Sequence, residues 1–324
     1  MAPSSASPPP PSSGAAGGPA VTPQPPVQSG TLTAGTWDDN RNFDRFMAYR
    51  AKQKQSGRTG ILPLTDEEHE KAHEAFKDVH DGRQKLDVSL VIDTTGSMSD
   101  EIRYLQSEFL ALSRAIEADY PDAEQRWSLV VYRDVGDVYV TRTFDFRTDV
   151  NDFRDRLSEQ FADGGGDFPE APDAALDAMN KFSWRADEDV ARLAFWVADA
   201  PHHDARAMAM ADALRASRGL DVHIYPVASS GIDEFTELTM RSAGQFTGGR
   251  YLFLTNDSGV GGDHKEPSIP CYFVTRLDQA ILRMVRIELS GEYSEPAPDQ
   301  IVRRGGSPQS GSCKLESGDV VEVF

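Results

Sequence analysis

The chain is poor in cysteine, in basic charge and in long apolar runs, and each shortage removes a class of function. Two cysteines occur in 324 residues, and Cys271 and Cys313 lack the close spacing with which thiolates hold structural zinc. The sequence leaves two readings open: a disulfide in an oxidising compartment, or two inert thiols, Cys271 buried and Cys313 exposed. A bridge would close a loop of about forty residues and contribute on the order of 4 kcal/mol through the unfolded state. Lysine and arginine number 33 against 52 acidic residues, a net charge of −19. That field repels phosphate backbones and anionic lipid, so nucleic acid is excluded as a partner and cations or basic surfaces are favoured. No uninterrupted apolar run reaches the length of a bilayer span, which predicts a soluble protein without a transmembrane segment. A Walker-type phosphate loop, an H-E-x-x-H helix and a nucleophile elbow are missing as well.

What is present falls into four parts. Residues 1–35 are nearly all Pro, Ser, Ala and Gly. Such a segment has too little to bury to offset its ordering entropy, and it is expected to be a disordered linker. It has neither the charged start nor the apolar stretch of a signal peptide. A tether from a longer, extracytoplasmic or cell-surface precursor is the favoured reading, with a tail on a cytoplasmic protein as the alternative. Residues 36–84 read as a helical brace, with Trp37, Phe43, Phe46 and Met47 near helical spacing and Thr65 as an N-cap before acidic residues. Residues 85–291 alternate strand and helix. Strands are expected at 86–93, 126–134, 138–146, 190–199, 221–229 and 250–254, and helices near 99–118, 149–160, 170–182, 204–218, 233–246 and 272–289. Residues 292–324 read as a loose extension or an edge strand.

Only the second and third strands are joined by a short turn, which predicts an antiparallel hairpin at one edge of the sheet. The other strands alternate with helices and several are continuously apolar, as strands covered on both faces are. The expected fold is therefore α/β: a doubly wound, mostly parallel, six-stranded sheet with one antiparallel edge strand and helices on both faces. In such a sheet ligands bind beyond the carboxyl ends of the strands.

Acidic residues stand at that end. The stretch Ser89 to Ile102 reads "SLVIDTTGSMSDEI", a buried strand ending in Asp93, then Thr95 and Ser97 in a tight turn. A carboxylate at the end of a buried strand is costly unless its charge is compensated. Asp199 closes "LAFWVAD", and Asp167 lies in the glycine-rich "GGGDFPEAP". Carboxylate and hydroxyl oxygens suit Mg²⁺, Mn²⁺ or Ca²⁺ rather than zinc or copper. Ser97 or Ser99 is also a candidate cap for the helix that follows. Glu170 and Asp134 are candidates for a supporting role beside the ligands. His202 and His203, shortly after Asp199, read as a solvated loop or a helix start.

The sequence Asp93-Thr94-Thr95-Gly96-Ser97 resembles the D-x-S/T-x-S motif of the von Willebrand factor A domain, whose metal-ion-dependent adhesion site is built this way. The resemblance covers about 85–290, and "TWDDNRNFDRF" resembles the lead-in of some bacterial members. It implies that Asp93, Thr95, Ser97, Asp167 and Asp199 converge on one divalent cation, with Mg²⁺ first. It also implies a protein partner that offers a carboxylate to the metal, without catalysis. Thr95 stands where the adhesion members have serine, and Asp167 where integrin-type members have threonine; the added charge tightens cation binding and weakens the metal's attraction for an outside carboxylate. The alternatives are an intracellular scaffold working beside an ATPase, or a metal-dependent phosphohydrolase with Asp93 as nucleophile. The second lacks the acid that such an enzyme needs two residues on, where Thr95 stands.

Overall fold

A computed structural model describes residues 31–77, 79–166, 168–258, 264 and 267–324. In chain order the elements are β1 (Thr33–Trp37), α1 (Phe43–Gln55), α2 (Asp66–Ala75), β2 (Lys85–Asp93), α3 (Ser99–Asp119), β3 (Glu124–Tyr132), β4 (Thr141–Arg147), α4 (Val150–Ser158), α5 (Pro172–Met179) and β5 (Val190–Ala198). They continue as α6 (Ala207–Gly219), β6 (His223–Ala228), α7 (Glu234–Thr247), β7 (Tyr251–Thr255), β8 (Tyr272–Arg276), α8 (Leu277–Ser290), β9 (Arg303–Gly305), β10 (Ser312–Lys314) and β11 (Val320–Glu322).

Nine strands form one sheet in the order β4-β3-β2-β5-β6-β7-β1-β8-β9. β3, β2, β5, β6 and β7 run parallel, and β4 closes one edge antiparallel to β3. The mostly parallel α/β architecture and the edge hairpin agree with the sequence reading, but the sheet has nine strands rather than six. All three additions lie beyond β7. β1 pairs antiparallel with both β7 and β8, and β9 pairs antiparallel with β8. The stretch Tyr272–Arg276, expected at the start of a helix, is strand β8.

The alternation along β2 places the two cores. Leu86, Val88, Leu90 and Ile92 face one cluster with α3, α4 and α8, while Val91 faces the other with α5, α6 and α7. On α3, Ile102, Leu105, Phe109, Leu112 and Ile116 are buried on one stripe, each stabilising the helix-on-sheet packing by about 1.5–3 kcal/mol. The helix therefore holds the Asp93 turn rigidly from below. Thr65 caps α2 in a full capping box with Glu68. Neither Ser97 nor Ser99 caps α3: its N-cap is Met98, without a side-chain cap bond, because a short 3-10 turn, Gly96–Met98, intervenes.

The N-terminal segment is part of the domain rather than an accessory. β1 crosses the boundary expected at residue 35 and sits inside the sheet, and Gly35 is required there: a Cβ would fall 2.2 Å from the Phe253 ring. Asp38 then pairs with Arg250 at 2.8 Å and Asp39 with Arg241 at 2.6 Å. All four are buried. The expectation of disorder for residues 1–30 falls outside the described residues. At the other end the extension is not loose. Phe324 is fully buried and its carbonyl accepts from Thr36 Oγ1 at 3.0 Å. Cys271 and Cys313 are joined as a disulfide that ties the β10–β11 hairpin to the start of β8.

Candidate functional site

The central strand β2 delivers Asp93 to the carboxyl end of the sheet, fully buried between β3 and β5. The turn folds back on it. Thr95 N donates to Asp93 Oδ1 at 2.9 Å and Thr95 Oγ1 donates to the same oxygen at 2.7 Å. Asp93 Oδ2 is buried with no hydrogen bond. Thr95 is also buried, and its Oγ1 lies 3.5 Å from the exposed Ser97 Oγ. Asp199, one residue past β5, is buried beside this turn, near enough to the Ser97 hydroxyl for that group to favour its charged form.

The electrostatics are those of an uncompensated acidic cluster. Burial, and then the charge of Asp199, push Asp93 from its ordinary 3.8 up to about 7, against the Thr95 bonds and the neighbouring Tyr132 hydroxyl. Burial also raises Asp199. Glu170 goes furthest, to about 9, through burial and then the charges of Asp93, Asp134, Asp137 and Asp199. Its Oε2 is a second buried oxygen without a partner. Arg133 is buried nearby, but its guanidinium turns to the carbonyls of Thr94 and Phe161.

The glycine-rich loop closes over the turn. Asp163 N donates to Thr94 O at 3.0 Å and Gly96 N to Gly164 O at 3.2 Å. Gly165 has φ +75°, and a Cβ there would lie 3.1 Å from Thr95 Cβ and 3.3 Å from Glu170 Oε1. Above them a depression of about 380 Å³ is lined by Thr95, Ser97, Gly165, Phe168 and Glu170 among others.

Of the residues expected here, Asp93, Thr95, Ser97 and Asp199 come together, and Glu170 joins them closely enough to feel their charge. Asp134 lies on the rim, where its Oδ1 meets His203 Nε2 at 2.6 Å. Asp167 lies outside the described residues. His202 is not in a solvated loop: it is buried against Phe235, with Nε2 against the Gly60 carbonyl at 2.9 Å, so it fastens the N-terminal segment to the site. Two acids were missed. Glu101, in the first turn of α3, is buried, and burial followed by Asp199 raises it to about 7. Asp137 accepts from Gly165 N at 3.2 Å and positions the loop. Helical periodicity does not mark Glu101. The "RDVGD" turn marked Asp137 as a turn residue only.

Two unpartnered buried carboxylate oxygens, two hydroxyls and a crowd of like charges form a donor set of hard oxygens that fits a divalent cation such as Mg²⁺. Among the described residues no group of three or more His, Cys, Asp or Glu is assembled as ligands. The described core of the candidate site is two carboxylates, Asp93 and Asp199, with the hydroxyls of Thr95 and Ser97.

Comparison with known proteins bears on this region. The chain is 30% identical over 129 residues to an alpha-protein kinase, vwkA, of Dictyostelium discoideum, a match covering 39% of this chain and 20% of that protein. It is 28% identical over 131 residues to a putative ariadne-like RING finger protein, R811, of Acanthamoeba polyphaga mimivirus, covering 39% of this chain and 12% of that one. The chain thus spans a fifth or less of the length of these curated relatives. Among solved structures, the conserved hypothetical protein BatB from Bacteroides thetaiotaomicron aligns with a TM-score of 0.39 and 11% identity, over 62% of this chain and 97% of its own. Residues 87–246, from β2 to α7, match the family model of the von Willebrand factor A domain, and this segment carries a domain of that type.

Proposed function

We propose that the chain is a protein-binding module that holds one divalent cation, Mg²⁺ first and Mn²⁺ or Ca²⁺ as alternatives, and that it carries out no chemistry on its partner. Asp93, Thr95, Ser97 and Asp199 would hold the ion, with Asp93 and Asp199 acting partly through water, and Asp167 is the fifth candidate ligand. When bound, the ion supplies a hard positive centre that attracts a carboxylate offered by the partner.

One observation carries the reading: Asp93 ends the central strand fully buried, with Oδ2 unpaired and a second buried carboxylate, Asp199, beside it. Leaving such a pair uncompensated at neutral pH is costly, and a bound cation removes that cost. Phe168 lines the depression, and further exposed apolar side chains lie on the same loop and on the turn that Asp137 joins to it. Phe161 and Phe168 stand on the glycine-rich loop, and Val135 and Val138 on the β3–β4 turn, which suits a protein surface with apolar anchors. Among the described residues no helix is long and apolar enough to cross a membrane. The disulfide supports an oxidising, extracytoplasmic setting.

Calorimetric titration with Mg²⁺, Mn²⁺ and Ca²⁺ tests the reading on the wild type and on Asp93→Ala. A saturable heat in the wild type, lost in the variant, is expected; equal heats from the two proteins refute the site.

A further inference from the structure

At the opposite end of the sheet from Asp93, the start of β6 meets the C-terminal ends of α6, α7 and α8 around a cavity of about 350 Å³. A nine-residue strand, β2, separates the two ends by roughly 30 Å. Six basic side chains line the cavity: Lys77, His80, Arg83, Arg218, His223 and Arg250. Two carboxylates, Asp221 and Glu288, face them. In a chain with 33 lysines and arginines against 52 acidic residues, four lysine or arginine side chains against two carboxylates is an inverted ratio that needs a cause.

Part of the cause is structural. Helix C-termini present carbonyls that attract cations, and Arg218 donates to the carbonyls of Phe246 at 2.7 Å and Lys71 at 3.5 Å. Arg250 is held by Asp38 at 2.8 Å. Both cavity carboxylates are already shared. Buried Glu288 meets Arg83 at 3.0 Å and His223 at 2.8 Å and accepts from the Tyr225 hydroxyl. Asp221 lies 3.2 Å from Arg192 and 3.6 Å from Arg83. Burial opposes the charge on His223, but Glu288 and Asp221 outweigh it and push its pKa up to about 9, so at neutral pH it is a further cation. An excess of positive charge remains. Among the described residues Arg218 forms no ion pair within 4 Å and feels Asp221 only from further off, and the Lys77 ammonium makes no hydrogen bond or ion pair.

We propose that this cavity is a second ligand site, one that binds a small phosphate-bearing anion through Arg218 and Lys77, with Arg83 and His223 behind them. The guanidinium fork matches phosphate oxygens, and the lysine adds a point charge. The volume is at the lower end of small-molecule pockets. It admits a phosphate or diphosphate with a small organic body, and Phe76 and Ile287 supply an apolar wall for that body. An extended nucleic-acid backbone does not fit such a cavity and is repelled by the net charge of the whole chain.

The experiment is calorimetry on the full chain with excess chelator, so that no divalent cation links the two ends of the sheet. The probes are inorganic phosphate, pyrophosphate, a sugar monophosphate and a nucleoside monophosphate, with sodium chloride at matched ionic strength as control. At least one phosphate probe is expected to give a saturable heat that chloride does not, and the tightest probe identifies the organic body. Lys77→Gln and Arg218→Gln should each weaken it ten-fold or more, while Asp93→Ala leaves it unchanged. Lys77 is exposed, so Lys77→Gln should keep the wild-type melting temperature and decides the matter if Arg218→Gln fails to fold. Wild-type affinity retained in Lys77→Gln, or no saturable heat with any phosphate probe, overturns the proposal. Because Asp93→Ala separates the two ends, loss of the metal reading leaves this one standing, and the reverse.

Discussion

Replacing Asp93 by asparagine in the metal-free protein should stabilise it at alkaline pH, against the usual effect of altering a buried residue. In the folded chain Asp93 titrates near 7 rather than at its ordinary 3.8. A carboxyl whose folded pKa is raised contributes its stability fully below the unfolded value and loses it as pH rises through the folded one. Between pH 4 and pH 7 this group alone removes roughly 4 kcal/mol, from a shift of about three units at 1.36 kcal/mol each. Asparagine keeps the acceptor for Thr95 and cannot ionise. It leaves an unpaired amide where Oδ2 now lies, at about 1–3 kcal/mol. The charge term is the larger, so Asp93→Asn should be more stable than wild type by ~1–3 kcal/mol at pH 8 in chelator. At pH 5 the charge term falls to roughly 1.6 kcal/mol and the advantage should vanish. Saturating Mg²⁺ should reverse the order at pH 8, because wild type gains about 4.1 kcal/mol at a thousand times its Kd and the variant gains little. Urea unfolding followed by tryptophan fluorescence measures all three conditions; Trp196 donates to the Tyr132 hydroxyl beside the site. An Asp93→Asn protein less stable than wild type at pH 8 in chelator would refute the electrostatic reasoning.

Metal affinity should itself depend on pH, since binding expels the protons that raised pKa values hold on Asp93 and Glu170; calorimetry in buffers of different ionisation enthalpy should show proton release at pH 6 that is smaller at pH 9, where Asp93 is already ionised and Glu170 still holds part of its proton. Gly165→Val combines a left-handed backbone with a clash against Thr95 and Glu170, and should weaken Mg²⁺ at least ten-fold while costing ~1–2 kcal/mol of stability; unchanged affinity would remove the loop from the site. Asp87→Ala should cost about 3–5 kcal/mol, because buried Asp87 receives both Arg126 at 2.6 Å and Arg185 at 2.7 Å; a melting temperature within two degrees of wild type would contradict this. Replacing Cys271 and Cys313 by alanine together opens a bridge spanning 42 positions and should cost on the order of 4 kcal/mol, read as a lower urea midpoint.

The local parts of the fold are written in the sequence because each depends on residues that are close together in the chain. The stripe on α3, the box at Thr65 and the apolar runs of β2 and β5 carry their own periodicity, and the turn between β3 and β4 allows only a hairpin. The turn Asp93 to Ser97 is equally local, since Thr95 bonds Asp93 two residues back. β1 carries no such signal. "TAGTW" interrupts its strand-favouring Thr and Trp with Ala and Gly, and it becomes a strand because β7 and β8 present unpaired edges and the Phe253 ring occupies the space over Gly35. β8 reads as helix in the sequence because its aromatic and branched residues run directly into the apolar stripe of α8. The electrostatic state of the site was hidden too. Sequence names Asp93, Asp199, Glu170 and Glu101 as acids, but their raised pKa values come from burial and from one another across four separate segments. Composition and spacing determined that this is an α/β chain with acidic and hydroxyl side chains at a strand end. Only tertiary packing decided which carboxylates share one low-dielectric space, because Coulomb repulsion and desolvation depend on distance and burial, and neither is a property of position along the chain.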